Sequence, residues 1–249
     1  MSKVYVVIPC FNHWQLSHEL LWNLYRKERE NIDTVLVVDN ASTDEDVKSG
    51  LEWWQDRMGG GFPVKVTYNP ENYGFLKSAN IGLQEVCMND ENDLVILISN
   101  DVLVYSKFIS QIQLALVENP KSLVGGVLYS HDTGWNTFKG VTYPYIEGWL
   151  LATTVKNWKE LNYFDEEFCP CDFEDIDLST KALKLGYQLV PLNNVGLVHK
   201  GAQTISYGAE RLVNTLMNKM KFETKWTKSR LYFLDYFTHS PCFPISEGH

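Results

Sequence analysis

The segment LVILISNDVLV, residues 94–104, carries the clearest sign of the chain's architecture. Its first five residues are apolar and mostly branched, and the run is too short for a typical helix, so it predicts a strand buried on both faces of a parallel sheet. The run ends in Ser99, Asn100 and Asp101. A carboxylate just beyond such a strand lies where open α/β sheets bind ligands, and it suits a divalent cation that carries a phosphate. The same residue types also form ordinary turns, and that alternative stays open.

Apolar runs and segments with helical periodicity alternate upstream of this segment. The regular alternation predicts an α/β fold with a doubly wound, mostly parallel sheet flanked by helices and joined by right-handed crossovers. Polar residues follow the strands at Asp39, at Asn69–Gly74 and at Asp101, and they could converge on one ligand. The predicted strands are Val4–Ile8, Thr34–Val38, Val64–Tyr68 and Leu94–Ile98, and the predicted helices are 15–30, 45–57 and 75–88.

Two common nucleotide-binding motifs do not occur in this sequence. No G-x-G-x-x-G follows the first predicted strand, and no G-x-x-x-x-G-K-[ST] occurs anywhere. The sequence therefore argues against a dinucleotide dehydrogenase and against a P-loop enzyme. A doubly wound sheet alone does not fix the function.

The composition limits the class of binding partner and the cellular compartment that we expect. With 22 Lys and Arg against 31 Asp and Glu, the net charge is −9, which argues against nucleic acid as a partner. Five cysteines fit neither a disulfide framework nor a zinc pattern, so a reducing cytosol is expected. No signal peptide and no transmembrane segment is visible, which predicts a cytoplasmic protein.

The second half of the chain has a different character. A helix is predicted over 106–118, and short apolar runs broken by Gly, Thr and Asn follow it. We predict one domain over 1–249, in which 1–105 bind the nucleotide, 106–205 form a mixed acceptor and catalytic half, and 206–249 form a C-terminal helical extension. The apolar positions of the predicted helices over 207–236 indicate core packing or a homodimer face.

An acidic cluster opens another predicted helix. The apolar stripe from Leu178 and the cap residue Gly186 predict a helix that begins near Glu174, with Asp172 as its N-cap. The helix dipole favours acidic residues in a first turn, but four of them within 172–177 should repel one another unless a cation or a proton is present.

Five segments, taken in order, resemble glycosyltransferase family 2, whose enzymes have the GT-A fold. Each motif is weak alone, but their order and spacing are specific, and the resemblance covers roughly residues 4–205. The segments are VVIPCFN at 6–12, VVDNASTD at 37–44, residues 69–82 with NYGF at 72–75 and NIG at 80–82, SND at 99–101, and FDE at 164–166 with EDIDL at 174–178.

The resemblance implies a nucleotide-sugar donor and a divalent metal, Mn²⁺ or Mg²⁺. Asp101 would bind the metal, while Ser99 stands where the family motif has its first Asp and brings no charge. A lone His at a strand end is usually structural, but His199 matches a His that completes the metal shell in many GT-A enzymes. The residues implied in nucleotide binding are Pro9, Phe11, Asn12, Asp39, Asn72, Gly74, Lys77 and Asn100.

The resemblance also implies an inverting, metal-assisted transfer of one sugar to an acceptor hydroxyl. Asp175 would be the base, with Glu174 orienting it or the acceptor. The donor would be a UDP-sugar, since Asp39 could accept from the uracil N3–H, and the acceptor a glycan, a glycolipid or a glycoprotein. The family's processive members carry Q-x-x-R-W and membrane helices, and this sequence has neither, which implies a soluble enzyme of the hexosyltransferase type.

Two alternatives remain at the level of sequence. A nucleotidyltransferase also uses an α/β sheet and an acidic metal site, but the loop after the first strand is not a basic, Gly-rich phosphate loop. A catalytically silent nucleotide- or glycan-binding module is compatible with Ser99 and with three tryptophans expected to be exposed, Trp135, Trp149 and Trp158.

Overall fold

In the computed structural model, which describes residues 2–57, 61–201 and 208–226, strands and helices alternate along the first part of the chain. The described residues form the α-helices α1 (Trp14–Glu28), α2 (Glu45–Arg57), α3 (Gly74–Val86), α4 (Ile109–Glu118), α5 (Val155–Leu161), α6 (Glu174–Lys184) and α7 (Ala209–Trp226). They form the strands β1 (Val4–Cys10), β2 (Thr34–Asp39), β3 (Val64–Tyr68), β4 (Leu94–Ile98), β5 (Val102–Val104), β6 (Ser122–Gly125), β7 (Leu128–Tyr129), β8 (Thr137–Phe138), β9 (Val141–Thr142), β10 (Tyr145–Ile146), β11 (Leu150–Thr154), β12 (Gln188–Pro191) and β13 (Leu197–His199).

A seven-stranded sheet in the order β12-β6-β11-β4-β1-β2-β3 forms the centre of the molecule. β1 pairs in parallel with both β2 and β4, and only β11 runs antiparallel to its two neighbours. The predicted mostly parallel sheet is therefore confirmed. The strand order changes direction at β1, because β2 and β3 follow on one side of it and β4 lies on the other. Ligands of open α/β sheets bind at such a switch point.

Helices cover both faces of the sheet, which explains the uninterrupted apolar runs. Side chains alternate between the two faces of β1: Val6 belongs to the apolar core that α1, α2 and α4 cover, whereas Val7 belongs to the core that α3, α5, α6 and α7 cover. On the second face α3 lies very close to the sheet. A Cβ atom on Gly82 would be 2.5 Å from Val7 Cγ1 and 2.8 Å from Val38 Cγ2, so this approach requires glycine.

The segment at 94–104 forms two strands rather than one. Residues 99–101 turn the chain after β4, and β5 then leaves the main sheet to pair antiparallel with β13. This two-stranded ribbon places the end of β13 beside the end of β4, although the two are about a hundred residues apart in sequence.

Helix α6 begins at Glu174 as predicted, but Asp172 is not its N-cap. The cap position is Phe173, which has a φ of 75° and makes no capping hydrogen bond with its side chain. The Asp172 side chain turns instead towards α7, where Arg211 binds it. The predicted role of Gly186 as the C-terminal cap of this helix is confirmed. Its φ is +81°, and its N–H donates to Leu183 O.

One further expectation is corrected, and one is tested only in part. Trp149 and Trp158 are buried, because they pack in the cores on opposite faces of the sheet, and only Trp135 of the three predicted tryptophans is exposed. Of the helices predicted over 207–236, α7 accounts for Ala209–Trp226, and the remainder lies outside the described residues. No helix in the described ranges has the length and apolar character to cross a bilayer.

Candidate active site

A cavity of about 700 Å³ opens at the carboxyl ends of β1 and β4, at the switch point of the sheet. Its walls come from the loops after β1, β2, β3 and β4, from the segments before β11 and α6, from the start of α6, and from single residues of β13 and α7. The structure therefore brings residues from distant parts of the sequence to one place. The predicted site residues that line the cavity are Pro9, Phe11, Asn72, Gly74, Asn100, Asp101, Glu174, Asp175 and His199.

Asp101 and His199 form a side-chain pair in this cavity. In the β5–β13 ribbon His199 lies opposite Val102, and Lys200 N–H donates to Asp101 O at 3.1 Å. As a result, His199 Nε2 lies 3.3 Å from Asp101 Oδ1. The Trp149 ring stacks on the imidazole with 5.5 Å between ring centroids, which fixes the orientation of the histidine.

The pair fits a divalent metal, because an imidazole nitrogen and a carboxylate oxygen are both ligands of Mn²⁺. Within the described residues, no group of three His, Cys, Asp or Glu side chains gathers into a metal-binding cluster. The described chain thus offers two ligands, and a metal here would complete its shell with water and phosphate oxygens. Ser99 also lines the cavity, and its N–H donates to Trp149 O at 2.9 Å.

A network of amide side chains shapes the wall formed by the loop over 69–74. Asn40 donates to Asn72 Oδ1 at 2.6 Å and accepts at Oδ1 from Tyr73 N–H at 2.9 Å. Asn69 is buried and donates to the same Asn40 oxygen at 3.1 Å. Gly74 has a φ of +79°, and a Cβ there would be 2.8 Å from Pro170 Cβ. The asparagines and the glycine of this motif therefore fix the shape of the cavity.

Three predicted nucleotide-binding residues do not line the cavity as the described residues form it: Asn12, Asp39 and Lys77. Asp39 is buried and accepts at Oδ1 from the Ser42 hydroxyl at 2.5 Å. Asn12 accepts at Oδ1 from Thr43 N–H at 2.7 Å, and Lys77 Nζ lies 4.1 Å from the centre of the Tyr73 ring. All three contact loops that adjoin the cavity.

The acidic pair at the start of α6 lies at another wall of the same cavity. Asp175 accepts two backbone hydrogen bonds, from Gly148 N–H at 3.1 Å and from Ile176 N–H at 2.8 Å. Glu174 is 8% exposed, and its Oε2 has no hydrogen-bond partner among the described residues. A buried carboxylate without a partner is costly in its charged form.

The two carboxyl groups differ in how easily they ionise. Burial raises the pKa of Asp175 to about 7, and the two backbone N–H donors limit that rise. Burial, together with the neighbouring charge of Asp175, raises the pKa of Glu174 well above its ordinary value. Both carboxyl groups are therefore harder to ionise than exposed ones, and the backbone donors of Gly148 and Ile176 favour the carboxylate form of Asp175.

The other two acids of the cluster have their own partners. Asp172 binds Arg211 at 2.9 Å and accepts from the Thr215 hydroxyl at 2.7 Å. Burial raises the pKa of Asp172, but these two partners outweigh it and hold the pKa below its usual value. Asp177 is buried against α7, 2.8 Å from Lys225 Nζ and accepting from the Trp226 indole N–H at 2.6 Å.

Sequence reasoning missed several residues of the cavity walls: Glu147, Gly148, Trp149 and Arg211. Gly148 and Trp149 had a usable signal, because they directly precede an apolar run that forms a central strand. Arg211 had none, since it reaches the site from α7 through its contact with Asp172.

Comparison with known proteins identifies the family and the fold. The family model Glycosyl transferase family 2 matches residues 5–171, and no curated protein sequence matches. Among solved structures, a mannosyltransferase from Pyrobaculum calidifontis, PcManGT in complex with GDP-Man and Mn²⁺, is similar with a TM-score of 0.67 and 21% identity. The similarity covers 90% of this chain and 64% of that one.

Two further structures are similar. GalNAc-T7 with UDP, GalNAc and Mn²⁺ has a TM-score of 0.72 and 16% identity, over 98% of this chain and 52% of that one. S. aureus TarS 1-349 in complex with UDP has a TM-score of 0.53 and 21% identity, over 72% and 54%. This chain thus spans between about half and two thirds of these proteins. The predicted GT-A fold class is confirmed.

The raised pKa of Glu174 predicts how stability depends on pH. The stability that comes from protonated Glu174 is fully present below its pKa in the unfolded chain, which is about 4.3. This stability is lost as pH rises through the raised pKa of the folded state, at up to about 1.4 kcal/mol per pH unit. Glu174→Gln removes this titration. As pH rises from about 4.3 towards the raised folded pKa of Glu174, we expect the Tm of the wild type to fall relative to that of Glu174→Gln, by about 2–4 °C for each kcal/mol of lost stability. Differential scanning calorimetry checks this, and parallel Tm curves would contradict it.

Proposed function

This chain belongs to glycosyltransferase family 2, and we propose that it transfers one sugar from a UDP-sugar to an acceptor hydroxyl with inversion at the anomeric carbon. One observation carries the proposal: the Asp101–His199 pair and the Glu174–Asp175 pair line the same cavity at the switch point of the sheet. The first pair suits a metal-bound diphosphate, and the second pair suits removal of a proton from an acceptor.

The proposed division of the chain follows the cavity walls. Residues 1–105 would hold the donor, residues 106–205 would hold the acceptor and the base, and α7, within 206–249, would extend the same domain; the remainder of 206–249 lies outside the described residues. The nucleotide would lie against Pro9, Phe11, Asn72, Gly74 and Asn100, which all line the cavity. Asn12 and Lys77 would act through the loops that they contact.

Uridine is the proposed base of the donor. Two of the similar structures contain UDP, whereas the mannosyltransferase contains GDP-Man. In this proposal Asp39 accepts from the uracil N3–H in exchange for its present bond to the Ser42 hydroxyl. A buried acceptor left without a donor costs about 1–3 kcal/mol, so the exchange favours a base that presents an N–H at this position.

Asp101 and His199 would hold Mn²⁺ or Mg²⁺, and Mn²⁺ suits the mixed imidazole and carboxylate pair better. The metal supplies Lewis-acid stabilisation of the leaving diphosphate. Both PcManGT and GalNAc-T7 were solved with Mn²⁺. Ser99 lines the cavity but carries no charge. Asp101 and His199 would therefore need phosphate oxygens of the donor to complete the coordination of the metal.

This dependence predicts coupled binding of metal and nucleotide. We expect calorimetry to detect tighter Mn²⁺ binding in the presence of UDP than in its absence, and transfer to stop in excess EDTA. Asp101→Asn should weaken the coupling, while Asp33→Asn, at the opposite end of the parallel strands, should not. Undiminished turnover in EDTA would contradict the metal role.

The uridine assignment predicts a preference between pyrimidine bases. We expect UDP to bind more tightly than CDP, whose cytosine N3 carries no hydrogen, by a factor of about five or more if one buried hydrogen bond decides the choice. Equal UDP and CDP affinities by calorimetry would contradict the uridine assignment.

Asp175 is the proposed base. Its two backbone donors hold the carboxylate in place, and its pKa of about 7 leaves it able to take a proton near neutral pH. Glu174 would stay protonated beside it and orient Asp175 or the acceptor. Because the base must be ionised, transfer should decline as pH falls through about 7.

Asp175→Asn keeps the size of the side chain but cannot take the proton. We expect this variant to fold, to bind UDP and metal as the wild type does, and to lose transfer by at least about two orders of magnitude. Glu174→Gln is the matched control, because glutamine resembles a protonated glutamate, and it should lose less. Product formation from a panel of UDP-sugars measures both. A nearly fully active Asp175→Asn beside an inactive Glu174→Gln would move the role to Glu174.

The same assay addresses the silent-module alternative. A module that only binds nucleotide or glycan would release no nucleoside diphosphate from any nucleotide sugar with Mn²⁺. A nucleotidyltransferase would instead release pyrophosphate from a nucleoside triphosphate. Family membership favours sugar transfer over both.

We also propose a cytoplasmic homodimer that forms through α7. The four described cysteines, Cys10, Cys87, Cys169 and Cys171, are free thiols, which supports a reducing compartment.

A stripe on α7 exposes apolar side chains, which supports burial against a second copy. Its residues are Leu212, Val213, Leu216, Met217 and Met220. We expect light scattering to give a dimer mass for the wild type and a monomer mass for Leu216→Asp with Met217→Lys, and a monomeric wild type would contradict the proposal.

A further inference from the structure

A second cavity of about 660 Å³ adjoins the first and shares part of its wall. Glu147, Asp172, Glu174, Asp175 and Arg211 line both cavities. The second cavity continues between Trp135 and Tyr145 on one side and the beginning of α7 on the other. We call it the aromatic groove. It reaches Asp175 without passing through the walls proposed to hold the nucleotide.

Trp135 is an exposed tryptophan held on a well-ordered loop. Its residue exposure is 44%, although the neighbouring Asn136 is fully buried. Asn136 accepts at Oδ1 from Thr133 N–H at 2.9 Å and donates from Nδ2 to the backbone oxygens of His131 and Tyr143 at 3.0 and 3.1 Å. These hydrogen bonds fix the loop. A ligand that contacts the indole therefore loses little binding free energy to ordering the loop.

Tyr145 adds a second aromatic surface to the groove. Its ring stacks on Tyr129 with 5.2 Å between centroids, and this contact fixes its orientation. Rigid aromatic surfaces beside a few polar groups are typical of sites that bind ligands with one apolar and one polar side. A pyranose ring has this character, because its C–H groups form apolar faces and its hydroxyls lie around the rim.

The charge of the groove discriminates between classes of sugar. Arg211 is engaged with Asp172, and Lys219 Nζ lies 5.3 Å from the centre of the Trp135 ring and donates to Gly134 O. Four acidic side chains line the groove against these two cations, and of the four Glu147 and Asp175 can accept from hydroxyl groups. The whole chain carries a net charge of −9. An anionic sugar would therefore meet repulsion in the groove, whereas a neutral sugar would find acceptors for its hydroxyl protons.

We propose that the aromatic groove binds a neutral pyranose unit of the acceptor, with one C–H face against Trp135 and a hydroxyl directed towards Asp175. This inference rests on the proposed function, and it narrows the acceptor to a saccharide without an acidic group at the binding unit. Trp135 is then a residue that determines acceptor specificity. The reacting hydroxyl transfers its proton to Asp175 as its oxygen forms the new glycosidic bond and the bond to the diphosphate breaks.

Saturation-transfer NMR on the full chain with UDP and Mg²⁺ tests the groove. Methyl β-D-glucopyranoside is the neutral probe, and methyl β-D-glucuronide, which has a carboxylate at C6, is the acidic probe. We expect the glucoside to bind with its strongest signals on the C–H hydrogens of one ring face, and the glucuronide to bind several-fold more weakly. In Trp135→Ala the glucoside affinity should fall about tenfold, as is common when a tryptophan at the centre of a contact is truncated. Trp135→Phe should recover most of it.

Trp53→Ala is the matched control, since Trp53 is a comparably exposed tryptophan, at 39%, on α2 and outside both cavities. It should leave glucoside binding unchanged, and UDP affinity should be unchanged in both tryptophan variants. Absence of glucoside binding to the wild type, equal binding of the glucuronide, or undiminished binding to Trp135→Ala would each overturn the proposal.

A separate measurement distinguishes this failure from failure of the proposed function. Release of UDP from UDP-sugars by the wild type depends on the donor cavity and on water, and it does not need the aromatic groove to be occupied. UDP release without glucoside binding would overturn the groove alone. Glucoside binding that depends on Trp135, with no UDP release from any donor, would overturn the transfer reaction and leave the groove as a sugar-binding site.

Discussion

The antiparallel pairing of β5 with β13 is the interaction on which the candidate active site depends most. It joins the turn after a central strand to a segment about a hundred residues later, and it sets Asp101 Oδ1 and His199 Nε2 3.3 Å apart. Neither side chain alone is a metal site. Because the pairing uses backbone hydrogen bonds, it fixes the separation of the two side chains before any ligand arrives, and binding then needs little reorganisation of the chain.

The four acids between 172 and 177 show how one charged cluster serves several purposes. Asp172 is neutralised by Arg211, and Asp177 by Lys225 and the Trp226 indole, so two of the four charges stabilise the packing of α7. The remaining pair, Glu174 and Asp175, makes no salt bridge among the described residues. Burial raises both pKa values; the charge of Asp175 adds to the rise at Glu174, which Arg211 partly offsets, and the charge of Glu147 adds to the rise at Asp175. The unmatched pair is the part of the cluster that carries a chemical role in the proposed reaction.

Local patterns predicted most of the fold but only part of the site. Unbroken apolar runs predicted the parallel strands, and family motifs predicted the residues at their carboxyl ends, because both signals are short-range. The N-cap assignment of Asp172 was wrong, since a partner on α7 competes for its carboxylate. Burial of Trp158 was missed because its sequence neighbours are polar, whereas the apolar run that follows Trp149 could have predicted its burial. Arg211 was missed because only the tertiary fold brings α7 to the cavity.

The contacts of Asp177 have a consequence for where this protein can be shortened. The family pattern ends at residue 171, yet the helix that carries the acidic pair is tied to α7 through Asp177, Lys225 and Trp226. A chain that stopped before Ala209 would still contain the whole family pattern and every proposed ligand of the donor. It would also leave the Asp177 carboxylate, in the first turn of α6, buried without its partners Lys225 and Trp226. The smallest unit that folds around α6 therefore extends well beyond the smallest unit that the family motifs define.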